Sequence, residues 1–234
     1  MALGNNNSFG GGPLIFIAPR NKDENGNKVK PFFSVSRVDE SGKIAQTNER
    51  VTSISGDLIK VEYKERDVKT KAGTMEKRKS ATLYISDSAA SETYYVDISF
   101  TIAGRSLFNA LATLSDADSF ADIELSIYEN RKGFECFGLK QAGQQVKWKY
   151  SLDEIPKADP ITDKKGNLIK NDYSEIDEFF LNEINKISEK LGSKKKSSQE
   201  SSTTKGKVTP KQVAPKPSPA QTDGNVDDSE DIPF

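Results

Sequence analysis

The chain has 234 residues, 34% hydrophobic and 29% charged, with a formal net charge of −1, enough for one core of ordinary size with solvated extensions. It has no histidine and one cysteine, Cys136, which excludes Ser-His-Asp and Cys-His catalysis, His-ligated metals, zinc-ribbon spacings and an intrachain disulfide. The net charge hides regional imbalance: +2 over residues 1–152, −4 over 153–192, +6 over 193–222 and −5 over 223–234.

Residues 1–12, with three consecutive Asn and Gly10-Gly11-Gly12, have almost nothing to bury and read as a flexible arm. Residues 14–18 and 32–38 read as strands, and the turn-forming residues 23–27 between them make a β-hairpin. The five-residue apolar run 14–18 is too short for a signal segment or a membrane span, so a soluble cytoplasmic protein is expected. Over 57–68, strand alternation puts Ile59, Val61 and Tyr63 on one face and Lys60, Glu62, Lys64 and Arg66 on the other. Over 79–86 Ala81, Leu83 and Ile85 oppose an outward Tyr84. Over 93–102 the core set is Val96, Ile98, Phe100 and Ile102, with Tyr95 outward. Leu107, Phe108, Leu111 and Leu114 switch to the helical period. Ile123, Leu125 and Ile127 then alternate with Glu124, Ser126 and Tyr128, and extended runs follow at 134–140 and 145–150. Tyr173, Ile176, Phe180, Ile184, Ile187 and Leu191 mark a helix, with Gly192 placed as its C′ terminator.

The order strand, strand, strand, helix, strand, strand over 57–150 is similar to that of the OB-fold. The fold class expected is therefore mainly β with α+β elements: an OB-fold-like five-stranded barrel with an N-terminal hairpin, a C-terminal helix and a disordered acidic tail. The divisions are an arm at 1–12, a barrel domain at 13–192, a disordered linker at 193–226 and an acidic tip at 227–234. Such barrels hold single-stranded nucleic acid on strands 2 and 3 and on the loops joining strands 1–2 and 4–5. Here those loops carry Lys69, Lys71, Lys77 and Arg78, and Arg131 and Lys132. Stacking on Tyr84, Tyr95 and Tyr128, with Lys60, Lys64 and Arg66 on phosphates, supplies the other requirements of strand binding. Outward tyrosines equally suit covering neighbouring stems or packing under the 173–191 helix.

Residues 226–234, Val-Asp-Asp-Ser-Glu-Asp-Ile-Pro-Phe, resemble the C-terminal tip of bacterial single-stranded DNA-binding proteins, which end in an aspartate run followed by Ile-Pro-Phe. The resemblance implies an OB-fold core, a low-complexity linker and a tip in which Asp227, Asp228, Glu230, Asp231, Ile232, Pro233 and Phe234 dock replication, recombination and repair proteins. Ser229 and Glu230 depart from an all-Asp run while the charge is retained. The core lacks the bacterial family's N-terminal sequence, so the combination resembles a bacteriophage single-stranded DNA-binding protein carrying a host-type tail.

Other motifs are weak. Gly42-Lys43 and Gly206-Lys207 are followed by Ile and Val, so no P-loop exists. Asn21, Asp23, Asn25 and Gly26 resemble part of a calcium loop, but Phe32 stands where the closing Glu is needed. Asp122 with Glu124, Asp153 with Glu154 and Asp177 with Glu178 are the candidate carboxylate pairs of a metal-dependent nuclease. A single-strand annealing recombinase is the other alternative. Neither enzymatic activity nor a cofactor nor a membrane partner is expected.

Overall fold

The computed structural model describes residues 14–39, 41–69, 73–117 and 119–200. The N-terminal arm, Lys71 and the whole acidic tip lie outside these residues.

Among the described residues, eleven strands and two helices follow in chain order. The strands are β1 (Leu14–Lys22), β2 (Lys28–Val38), β3 (Ile44–Val51), β4 (Ser53–Lys69), β5 (Met75–Asp87), β6 (Glu92–Ser99), β7 (Ile123–Glu129), β8 (Glu135–Gln141), β9 (Gln144–Gln145), β10 (Asp159–Thr162) and β11 (Leu168–Asp172); α1 (Ile102–Ala117) precedes β7 and α2 (Ser174–Glu200) follows β11. The fold is mainly β. Nine strands form one mixed sheet in the order β3-β2-β1-β6-β5-β4-β7-β8-β9, and β10 and β11 form a separate hairpin.

This architecture corrects the expected five-stranded barrel. The anticipated strands are contiguous as β6-β5-β4-β7-β8, but the sheet does not close on itself. The far edge of β6 is taken by β1, which runs parallel to it from Leu14↔Thr93 to Ile17↔Val96. The N-terminal hairpin is thus part of the main sheet. It wraps towards the other arm: the rings of Phe33 on β2 and Phe137 on β8 lie 6.3 Å apart, and Lys28 Nζ reaches Glu129 and the carbonyl of Gly133.

β4 joins the two halves of the sheet, pairing first with β7 and then with β5. Gly56 sits at the changeover with φ of 154°, and a Cβ there would meet the Ser86 carbonyl oxygen at 2.4 Å, so only glycine fits. A bulge between Leu58 and Lys60 then shifts the alternation. The buried residues are Ile54, Leu58 and Val61, whereas Ile59, expected beside Val61, is the unpaired residue of the bulge and only half-buried.

The core is filled from the inward strand faces and from Leu107, Phe108, Leu111 and Leu114 of α1, all 1% exposed or less. α1 approaches β6 so closely that a Cβ on Gly104 would lie 2.0 Å from the Ser99 carbonyl oxygen. β6 ends at Ser99, and Ile102, expected in the strand core, begins the helix with 41% exposure. The expected strand over 145–150 is β9 alone. From Val146 onward the chain lies along α1, where buried Asn109 accepts from Tyr150 N and donates to Tyr150 O, each at 2.9 Å. The side-chain amide serves as the ladder partner.

α2 buries Ile176, Phe180, Ile184, Ile187 and Leu191, as its spacing predicts. It continues through Gly192 to Glu200, so Gly192 does not end it and residues 193–200 of the expected linker are helical. Arg105 of α1, 4% exposed, holds Asp177 through Nε at 3.0 Å and Nη2 at 2.8 Å, with Tyr173 beneath the guanidinium at 4.4 Å. Among the described residues no helix is long and apolar enough to cross a membrane.

Candidate nucleic-acid interface

Register places one residue from each of six strands in a single row on the outer face of the sheet: Gln46, Ser36, Phe16, Tyr95, Tyr84 and Lys60. The Phe16 and Tyr95 centroids are 5.1 Å apart, those of Tyr95 and Tyr84 5.3 Å, and Lys60 Nζ lies 5.1 Å from the Tyr84 centroid. Lys64 Nζ sits 4.6 Å from the Tyr95 centroid and donates to its hydroxyl. Cross-strand aromatic pairing and cation–π contacts hold the row in place.

Two expectations change here. Tyr84 lies on the predicted face yet is only 7% exposed, because Lys60 and Tyr95 cover it; its hydroxyl donates to Glu62 at 2.8 Å. Burial, aided by that carboxylate, raises the Tyr84 pKa. Tyr84 therefore supports the row from below, and half-buried Tyr95 and Phe16 are its accessible rings. Tyr128, 42% exposed, stands apart on β7, so the three tyrosines form no common platform. Nor do Tyr84 and Tyr95 lie under α2. That helix packs on the opposite face, where Lys79, Tyr63 and Asp177 meet.

The lysines expected to form a free basic face are partly neutralised. Lys60 and Lys64 both pair with Glu62, whose carboxyl is held below its ordinary range mainly by the Lys60 hydrogen bond, against the effect of burial. Arg66 pairs with Asp97. These cations keep solvent access, with side-chain exposures of 31% for Lys60 and Lys64 and 55% for Arg66.

β6 ends opposite Ser80, so residues 65–69 and 75–79 project as a two-stranded ribbon. Its register sets Arg66 directly opposite Arg78, on the same face as Lys64 and the aromatic row. Among the described residues Arg78 and Lys69 have no ion-pair partner, while Lys77 pairs with Glu65 at 2.8 Å on the reverse face. The second loop is a tight turn in which Asn130 Oδ1 accepts from Lys132 N and Phe134 N. It presents Arg131 and Lys132 to solvent beside Phe134, which is 62% exposed. Phe134 and Phe16 were not among the expected site residues. Alternation of Phe16 with Ile15 and Ile17 carried the signal for the latter.

One member of each candidate carboxylate pair is engaged within the fold. Glu124 pairs with Lys140 at 3.5 Å, Glu154 accepts from Ser151, and Asp177 is tied to Arg105. Among the described residues no group of three His, Cys, Asp or Glu side chains is placed to hold a metal ion. Comparison with family models, curated proteins and solved structures finds no match for this chain.

Proposed function

We propose that the chain binds single-stranded DNA with little sequence preference and recruits replication, recombination and repair proteins through residues 227–234. The observation that carries the DNA reading is the Arg66↔Arg78 pair beside the Tyr95–Phe16 row. Two like charges directly opposite on a ribbon oppose folding, a cost that the Arg66–Asp97 ion pair offsets in part and that a phosphate seated between them lowers further. Adjacent rings supply stacking surfaces for any base. The order β6-β5-β4-β7-β8, with α1 between β6 and β7, supports an OB-like ancestry in which a hairpin has been added at the edge of the third strand.

The test is fluorescence anisotropy with labelled oligo(dT) and duplex DNA at several salt concentrations. Binding should favour the single strand and weaken as salt rises; duplex preference refutes the reading. For the tip, Phe234→Ala removes the apolar anchor and keeps the charge. The parent should capture replication and repair enzymes from a bacterial lysate and F234A should not, while DNA affinity stays the same.

A further inference from the structure

Outside the aromatic row, β1, β2 and β3 enclose a cleft of about 290 Å³ lined by Arg20, Lys22, Phe32, Gln46, Asn48 and Arg50, together with Asp23, Glu24 and Glu49. Phe32 is half-buried at its base, with the Arg50 guanidinium 4.8 Å from the ring centroid. Arg20 is the register partner of Phe32, so cation, ring and cation lie side by side. Three carboxylates share the cleft with these three cations, and each is also engaged by other groups. Asp23 keeps its charge within its own turn, accepting from Asn25 N, Asn27 N and Asn27 Nδ2, and its field reaches Arg50. Glu49 is drawn to Arg37 at 3.4 Å, and Glu24 is only marginally within reach of Arg50 at 4.0 Å. Arg20 and Lys22 have no ion-pair partner among the described residues.

We infer that this cleft is a second single-strand subsite, taking one nucleotide with its base against Phe32 and its phosphate between Arg20, Lys22 and Arg50. The inference rests on the single-strand reading above and extends the path of the strand. Phe32 lies on the same outer face as Phe16, four residues along β1 and one strand across, which is roughly 14 Å at ordinary strand spacings. Gln46 and Asn48 add amides that donate and accept, matching base edges without selecting one base. Displacement of Arg50 from the ring by an incoming base leaves its charge beside the phosphate, so the cation–π contact exchanges for stacking and an ion pair.

The experiment uses the full chain with an oligo(dT) ladder from about 3 to about 16 nucleotides, a range spanning known single-strand site sizes. The variants are Phe32→Leu, which keeps apolar bulk but loses the stacking ring, and the double change Arg20→Gln with Lys22→Gln. Parent and variants should bind the shortest oligonucleotides alike and diverge beyond a threshold length. There F32L should lose at least about fivefold in affinity, and the double variant should flatten the salt dependence by about 1.4 in log–log slope. Iodouracil-substituted oligonucleotides should photo-crosslink to Phe32 in the parent.

Equal binding of parent and variants at every length, without a crosslink at Phe32, overturns the subsite while leaving the single-strand reading intact. Failure of the parent to bind any oligonucleotide overturns both. Saturable binding of thymidine monophosphate that F32L abolishes, with strand binding unchanged, makes the cleft a free-nucleotide site and also overturns it.

Discussion

Replacing Arg78 by threonine should move stability and DNA affinity in opposite directions. Arg78 faces Arg66 across the β4–β5 ribbon, and Arg66 spends part of its charge on Asp97. With the guanidinium groups splayed to roughly 7 Å in water, the repulsion is about 0.6 kcal/mol at most, and the Asp97 contact and salt reduce it further. Threonine also suits an exposed strand. R78T should therefore gain about 0.2–0.6 kcal/mol, a rise in Tm of about 0.4–2.4 °C for a chain of this size. On the proposed single-strand reading, the same change removes one phosphate contact. The slope of log affinity against log salt should fall by about 0.7, so the parent's advantage should shrink by about 2.6-fold between 50 and 200 mM salt. Thermal melts and oligo(dT) anisotropy at several salt concentrations measure the two quantities. Lys147→Thr, on an exposed side chain along α1, controls for the loss of one charge. An R78T chain that is less stable and binds DNA like the parent refutes the reasoning, because Arg78 would then serve the fold.

Tyr84→Ala should cost about 3 kcal/mol in urea denaturation, as a buried aromatic, and Tyr84→Phe about 1.5 kcal/mol through loss of the bond to Glu62; Tyr128→Ala should stay within about 0.5 kcal/mol. Asp177→Ala strands a buried arginine and should cost about 3–5 kcal/mol, again read from the urea midpoint. Burial raises the Glu135 pKa above its ordinary 4.5, so its charged form opposes folding and stability is lost as pH rises through the folded value. Glu135→Gln should consequently raise Tm at pH near 7 and leave it unchanged well below 4.5, and equal shifts at both pH values would contradict this.

Periodicity revealed the elements that bury one face. α2 was legible from Tyr173 to Leu191 because a helix packed along one stripe repeats its apolar residues regularly. The β3 strand was not legible, since Ile44 is 59% exposed and most of its neighbours are open to solvent; an edge strand buries no face that its sequence must mark. The turn at 163–167 is legible from its Asp, Gly and Asn, but the two strands of the β10–β11 hairpin escaped for the same reason, with Leu168 and Ile169 exposed at 60% and 64%. At the candidate site, alternation gave the correct face for Tyr84 and Tyr95 but not what lies over it. The ring contact from Phe16 and the ion pairs to Glu62 and Asp97 depend on cross-strand neighbours. Register between strands distant in sequence fixes these, and no local pattern contains it. The bulge at Ile59 moved the inward set by one residue within β4, a shift that strict alternation cannot express.

The parallel ladder between β1 and β6 imposes an order on assembly. Leu14 and Thr93 are 79 positions apart in the chain, whereas β4, β5 and β6 are successive antiparallel neighbours that meet through short connections. Closing the longer loop costs more chain entropy before any contact rewards it. At a synthesis rate of about 5–20 residues per second, β1 waits roughly 4–16 s for its partner to be made. Throughout that interval the hairpin carries an unpaired edge with Ile15 and Ile17 uncovered, a template for pairing with a second nascent chain. Slow docking of the N-terminal hairpin onto a preformed β4–β6 meander is thus the step at which misassembly competes with folding.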